Sequence, residues 1–167
     1  MADKETSKGC EPLEQTIIAD AGAKKPVIGL AGNYQDSDET RFLLTPEGCG
    51  MLTSGGFDIC MEHGAAVDIA FTDEDYAEFG VRIVSRAEVL KADIVLSYRP
   101  LKPSDVAKMR KGGVLLCMMD TSLFDHKVVK ALLDHKITLG CFDNMYSHND
   151  EPVFANIVDE IDGRGAI

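Results

Sequence analysis

The chain has 167 residues, enough for one domain with its own core. Its 45% apolar and 27% charged residues place it among ordinary globular proteins and away from fibrous or disordered chains. Seventeen Lys and Arg face 28 Asp and Glu, and the net charge of −11 repels phosphate backbones, which argues against nucleic acid and anionic membranes as partners.

The opening, residues 1–25, reads as an N-terminal extension: residues 1–9 are polar and disordered in character, and residues 12–21 (PLEQTIIADA) suit a short helix. A first strand, PVIGLA, covers 26–31, followed by an acidic loop over 33–40. Thr45-Pro46-Glu47 reads as a helix start, with Thr as cap, Pro in the first turn and Glu at the positive dipole end. Gly55-Gly56 stops that helix, and FDICME (57–62) is the second strand. Thr72 caps a helix that ends at Gly80, and VRIV (81–84) is a short strand. A helical piece over 86–91 leads to the strand ADIVLS (92–97). Pro100 and Pro103 bracket a loop before a helix over 104–110. VLLCMM (114–119) is the most apolar strand. A helix over 125–135 has Val128, Val129, Leu132 and Leu133 on one face, ITLGCF (137–142) is the last strand, and 154–162 reads as a final helix.

Strands alternate with helices, and several strands are apolar on both faces. That pattern predicts an α/β domain of three layers, α/β/α, around a mostly parallel sheet. Ligands of such sheets bind at the carboxyl ends of strands, so the loops of interest are 32–41, 63–71, 97–102, 120–124 and 143–151. No G-x-G-x-x-G and no P-loop comes after any strand, so no complete nucleotide cradle is present.

Arg41 follows the acidic loop and precedes Phe42-Leu43. A guanidinium there matches a carboxylate bidentately; the alternative is a surface pairing with Asp36, Asp38 or Glu39. Ser97 and Arg99 end an apolar strand at the functional rim, or simply close a turn. Asp120 also ends an apolar strand, where it binds a ligand group or caps the helix near Asp125. His63, His126, His135 and His148 show no metal-ligand spacing and are assigned to surface or packing roles. The stretch Asp36-Ser37-Asp38-Glu39 lacks the calcium-loop pattern and reads as a solvated loop. The five cysteines, Cys10, Cys49, Cys60, Cys117 and Cys141, are odd in number and make no C-x-x-C. They argue against zinc or a disulfide framework and for a reducing compartment, with Cys60, Cys117 and Cys141 as small buried hydrophobes. No apolar run has the length of a membrane span and no signal-peptide core opens the chain, so a cytoplasmic protein is expected.

KPVIGLAG, leading into ETRFLLTPEG, resembles the opening of alanine dehydrogenases and pyridine nucleotide transhydrogenase alpha subunits. SGGFDICMEHGAA, FTDEDYAEFGVRIV, ADIVLSYRPL, KGGVLLCMMD and HKVVKALLDHKITLGCFDNM continue the likeness in order, and VDEIDGRGAI looks like the start of an interdomain helix. The resemblance implies a flavodoxin-like substrate-side domain over 26–150, with 151–167 leading toward an absent nucleotide-binding domain. It implies NAD or NADP bound by that Rossmann domain, outside this chain, and a small carboxylate substrate such as pyruvate or L-alanine. A homo-oligomer is implied as well.

Arg41 matches the family's substrate-carboxylate residue. The family's active-site Lys falls on Ser97 or one position away, and its His falls near Asp120. Arg99 supplies positive charge there but no proton-transferring amine. Four readings are open. The first is the substrate-side domain of an NAD(P)-dependent oxidoreductase, inactive by itself. The second is a binding or assembly module of the same fold without catalysis. The third is a transhydrogenase alpha-subunit segment. The fourth, a generic flavodoxin-like ligand binder, is disfavoured by the missing phosphate loop.

Overall fold

The computed structural model describes residues 25–118, 125–142 and 145–152. The opening extension, the segment around Asp120 and the expected helix over 154–162 lie outside the described residues. Within them the alternation read from the sequence is present: β1 (Val27–Leu30), α1 (Pro46–Ser54), β2 (Asp58–Glu62), α2 (Asp73–Glu78), β3 (Arg82–Val84), α3 (Arg86–Val89), β4 (Ile94–Ser97), α4 (Pro103–Val106), β5 (Val114–Cys117), α5 (His126–His135) and β6 (Thr138–Cys141).

The six strands form one sheet in the order β3-β2-β1-β4-β5-β6, and every neighbouring pair is parallel. Without the short edge strand β3, the remaining strands renumbered in chain order run 2-1-3-4-5, the flavodoxin-like order. The two-residue period of a strand divides the core. Ile28, Leu30, Ile59 and Met61 face α1 and α2; Cys60, Val95, Leu115 and Cys117 face α3, α4 and α5. Helices thus cover both faces, as the three-layer reading expects.

The caps are those the residue types favour. Thr45 Oγ1 accepts from the Gly48 N–H, and Pro46 sits in the first turn of α1. Thr72 and Asp75 form a reciprocal capping box at α2, and Asp125 accepts from the Lys127 N–H at α5. Two helices depart from expectation. The helix placed over 104–110 is α4, only Pro103–Val106. Pro103 is its first residue rather than a loop bracket, because a proline nitrogen has no N–H to leave unpaired there. On α5, Val128 and Leu132 are buried while Leu133 is 73% exposed. At about 100° per residue Leu133 lies a quarter turn away from the i, i+4 stripe that meets the sheet. Cys49, Cys60 and Cys117 are buried thiols and Cys141 is partly covered; burial pushes the Cys49 thiol up to about 11.

Gly29 lets α3 lie directly on β1. A Cβ at that position would stand 2.6 Å from the Val89 carbonyl oxygen and 2.9 Å from Ala92 Cβ. Because the obstacle is backbone, Gly29→Ala is expected to lower stability by about 1–3 kcal/mol, read from the urea midpoint. An unchanged midpoint would mean that α3 is free to move off the sheet.

Candidate functional site

The strand order reverses on either side of β1. β1 and β4 are neighbours whose onward connections leave in opposite directions, so a crevice opens outside their carboxyl ends. Two of the five loops singled out by sequence meet there, 32–41 after β1 and 97–102 after β4. They border a cleft of about 940 Å³ lined by, among others, Tyr34, Arg41, Arg99, Lys102 and Asp125.

Arg41 is held at the lip of the cleft by the three residues after it. Phe42, Leu43 and Leu44 pack into the core, and the Leu44 carbonyl accepts a 2.7 Å hydrogen bond from the hydroxyl of fully buried Tyr76. Upstream, Asn33 Nδ2 donates to the carbonyls of Glu39 and Arg41, at 3.0 and 2.8 Å, curling the loop back on itself. The curl places the Glu39 carboxylate between two guanidinium groups. Oε1 accepts from the Arg41 N–H (3.1 Å) and from Arg41 Nε (2.7 Å); Oε2 accepts from an Arg41 terminal nitrogen (3.0 Å) and from Arg99 Nε (2.9 Å). The Arg41 guanidinium also lies 4.6 Å from the Tyr98 ring centre.

Glu39 therefore corrects the reading of 36–39 as a solvated loop. Asp36, Ser37 and Asp38 are exposed, but the Glu39 side chain is only 3% exposed. A buried carboxylate is stable when charged partners and hydrogen bonds replace its water, and here four donors do so. Burial pushes its pKa up. The Arg41 side-chain and backbone hydrogen bonds, with the charges of Arg41 and Arg99, outweigh burial and hold it below the usual glutamate range. The expected pairing of Arg41 with an acid of its own loop is present, as a buried contact rather than a surface one.

Ser97 is buried and donates its hydroxyl to the Arg99 carbonyl at 2.7 Å. This closes the turn that carries Tyr98 and Arg99, the plainer of the two roles weighed for it. Arg99 lines the cleft with its side chain 43% exposed. Lys102, the next amine along, is bound to Asp36 at 2.9 Å, and its Nζ lies 4.3 Å from the Tyr34 ring centre. Asp120 lies outside the described residues. His63 pairs with Asp73 at the surface. No group of metal-ligating side chains occurs among the described residues.

A second polar cluster braces the same loop and is not visible in the sequence. Arg86 Nε donates to Asp105 Oδ2 (2.8 Å), and Arg86 Nη1 donates to Glu62 Oε2 (2.7 Å) and to the Gly32 carbonyl (3.0 Å). The Gly32 N–H donates to the same Glu62 oxygen, at 2.9 Å. Tyr34 donates to Asp105 and accepts from the Lys102 N–H, both at 2.8 Å, with its ring 4.3 Å from the Arg86 guanidinium carbon. Burial pushes Asp105 up, but hydrogen bonds from Arg86, Tyr34 and Lys108 hold it below the usual aspartate range. Strands β1, β2 and β4 are thereby joined at one end by side chains as well as by backbone.

Family membership comes from sequence comparison. Residues 34–156 match the family described as alanine dehydrogenase/PNT, N-terminal domain. The chain belongs to this family. It is 34% identical over 114 residues to an NAD(P) transhydrogenase alpha-subunit protein of Rhodospirillum rubrum, covering 64% of this chain and 29% of that protein. It is 27% identical over 141 residues to alanine dehydrogenase of Bacillus subtilis, covering 84% of this chain and 36% of that protein. Among solved structures, a transhydrogenase from Sinorhizobium meliloti aligns with a TM-score of 0.65 and 25% identity, over 70% of this chain and 35% of that one. The chain thus spans about a third of the length of these relatives. The family names carry a nicotinamide nucleotide. The described residues do not fit one: β1 runs into the irregular loop 31–45 instead of a helix N-terminus, and that loop carries carboxylates where a pyrophosphate would lie.

Replacing Glu39 tests the bracket. Its depressed pKa means that its contribution is fully present above the unfolded glutamate value, near 4.5, and is lost as pH falls through the lower folded value. Glu39→Gln is expected to cost about 2 kcal/mol at neutral pH by urea unfolding, discounted for the partial exposure of both arginines. The gap between variant and wild type should close as pH falls below the unfolded glutamate value and through the lower folded one. A gap independent of pH would assign the loss to packing instead of charge.

Proposed function

We propose that this chain is the substrate-side domain of an NAD(P)-dependent oxidoreductase of the alanine dehydrogenase type. The observation that carries the reading is the paired guanidinium groups of Arg41 and Arg99 at the β1/β4 crevice, in a chain that belongs to this family. A ligand anion meets two guanidinium groups there, in a lining that also carries Lys102, Asp38, Glu39 and Asp125. The ligand is a small carboxylate, pyruvate or L-alanine. The nicotinamide nucleotide belongs on a Rossmann domain outside these residues, and its hydride transfer is the step for which this domain holds the other reactant. The 167 residues alone do no redox chemistry. Assembly as a homo-oligomer belongs to the same reading, and so does a cytoplasmic location; no helix among the described residues is long and apolar enough to cross a membrane.

One observation favours a second reading, a binding module without chemistry. The Ser97 hydroxyl is committed to the Arg99 carbonyl, Lys102 is committed to Asp36, and no imidazole lines the cleft among the described residues. A transhydrogenase alpha-subunit segment is the family's other branch, and the match to the Rhodospirillum rubrum protein supports it.

Calorimetry on the 167-residue chain is expected to show saturable binding of pyruvate or L-alanine, and the same chain should not oxidise NADH with pyruvate and ammonia. Turnover by the chain alone, or no binding of either compound, would overturn the proposal. NADH oxidation by a larger assembly that includes this chain would decide against the non-catalytic module.

A further inference from the structure

Two thiols share one row of the sheet. Cys117 is the last residue of β5 and Cys141 the last of β6; the strands are parallel neighbours and the two cysteines are register partners. Register partners of a parallel ladder point to the same face, and both side chains join the core that faces α3, α4 and α5. Neighbouring strands lie about 4.8 Å apart, inside the span of about 4.4–6.8 Å between Cα atoms that a disulfide bridges. The other cysteines on described residues are placed differently. Cys60 is on β2, three strands from β5, and Cys49 is on α1 against the opposite face of the sheet. The pair also differs in cover: Cys117 is 0% exposed, whereas Cys141 is only partly covered. Its strand β6 ends the described strand order and is hydrogen-bonded to the sheet on one side, so it can shift toward β5 without breaking a second ladder.

We propose that Cys117 and Cys141 are a redox-active dithiol, a covalent modification site for small-molecule disulfides, with Cys141 as the attacking thiol and Cys117 as the resolving one. The Cys141 thiolate attacks one sulfur of a small disulfide such as glutathione disulfide; a mixed disulfide forms and one glutathione thiolate leaves. The Cys117 thiolate then attacks the Cys141 sulfur, the intramolecular disulfide forms, and the second glutathione leaves. The protein loses two electrons and two protons, and the small disulfide gains them as two thiols. Under reducing conditions the pair rests as thiols, the state in this structure. The same row continues inward to Ser97, the register partner of Cys117 on β4, and the Met118 N–H donates to the Tyr98 carbonyl at 3.0 Å. Closing the bond therefore acts one strand away from the turn that carries Arg99.

The test is incubation of the 167-residue chain with glutathione disulfide, followed by peptide mapping without reduction and by amide NMR. Wild type should yield the linked Cys117–Cys141 peptide and two glutathiones per chain, with the glutathione adduct on Cys141 seen only in passing. Cys117→Ser should stall at that adduct, raising it at least about tenfold, because the second thiolate is gone. Cys141→Ser should leave Cys117 unmodified over the time in which wild type is fully oxidised, because the remaining thiol is buried. A measurement on the unaltered protein guards against misfolded variants: phenylarsine oxide, which bridges two adjacent thiols, should bind once per chain at these two cysteines and block their oxidation. A linked peptide that joins any other two cysteines, a stable glutathione adduct on wild-type Cys141, or phenylarsine oxide held elsewhere or not at all overturns the dithiol. First modification at Cys117 overturns the order of attack. Tyr98 and Arg99 amides should shift between the reduced and oxidised forms, and unmoved amides overturn the coupling to the crevice.

Discussion

A carboxylate that is 3% exposed carries two arginines, and the geometry of the whole crevice depends on it. Removing Glu39 from water is costly in isolation, since an ion loses its hydration on burial. The cost is met locally. Arg41 reaches Glu39 across two residues of the same loop, and Arg99 reaches it from the end of β4, 60 residues away in sequence. One short-range and one long-range contact therefore converge on the same group. The short-range contact shapes the loop; the long-range one fixes that loop against the second half of the sheet. Without the carboxylate, two like charges would face each other across a crevice that the strand order has already opened.

The sheet and the bracket support each other. Parallel strands bring the carboxyl ends of β1, β2 and β4 to one edge, where backbone pairing ends and polar groups need other partners. Glu39 with its arginines meets that need on the β1/β4 side. Arg86 with Glu62, Asp105 and Tyr34 meets it on the β1/β2 side. Both clusters grip the loop 32–41 from opposite flanks. That loop has no helix or strand of its own, yet it begins at the Gly32 carbonyl held by Arg86 and ends at Arg41, ahead of the buried Phe42. An irregular segment pinned at its start, middle and end can present side chains as reproducibly as a regular element does.

The fold is legible in the sequence because its signals are local. Thr45-Pro46-Glu47, Thr72 ahead of three acids, and Gly55-Gly56 each specify an end of a helix through the backbone groups left unpaired there. Short apolar strands between those signals leave little choice but a covered parallel sheet. Misreadings arise where local signals compete. Pro103 reads equally as a loop residue and as a first helical residue, and Leu133 is as apolar as Leu132 while lying on another face. The site is legible only in part. Arg41 and Arg99 stand out by their places after strands, but the residue that joins them reads as one more solvated acid. Nothing within 36–39 distinguishes Glu39 from Asp36 or Asp38, because its burial comes from Arg99, a partner in another loop. Tyr34 and Asp105, 71 residues apart, are invisible for the same reason.

Family membership and site chemistry constrain different things. The match over residues 34–156 spans Arg41 and the strands β2 to β6, with β1 just ahead of it. Within it, the Ser97 hydroxyl is turned inward onto the Arg99 carbonyl. An ammonium at that position could not be buried in the same way without a carboxylate to face it, and the nearby carboxylate of Glu39 is already saturated by arginine. The small hydroxyl at 97 and the bracket are therefore physically coupled: with Ser97 bound to the Arg99 carbonyl, the turn after β4 tightens and Arg99 Nε stands 2.9 Å from Glu39. Positive charge is delivered two residues after Ser97 by the guanidinium of Arg99. Such a group keeps its charge at every physiological pH, offers a planar fork to a carboxylate, and cannot give up a proton. A site built this way is suited to holding an anion and orienting it. A proton transfer at such a site would need a group other than the guanidinium that holds the anion.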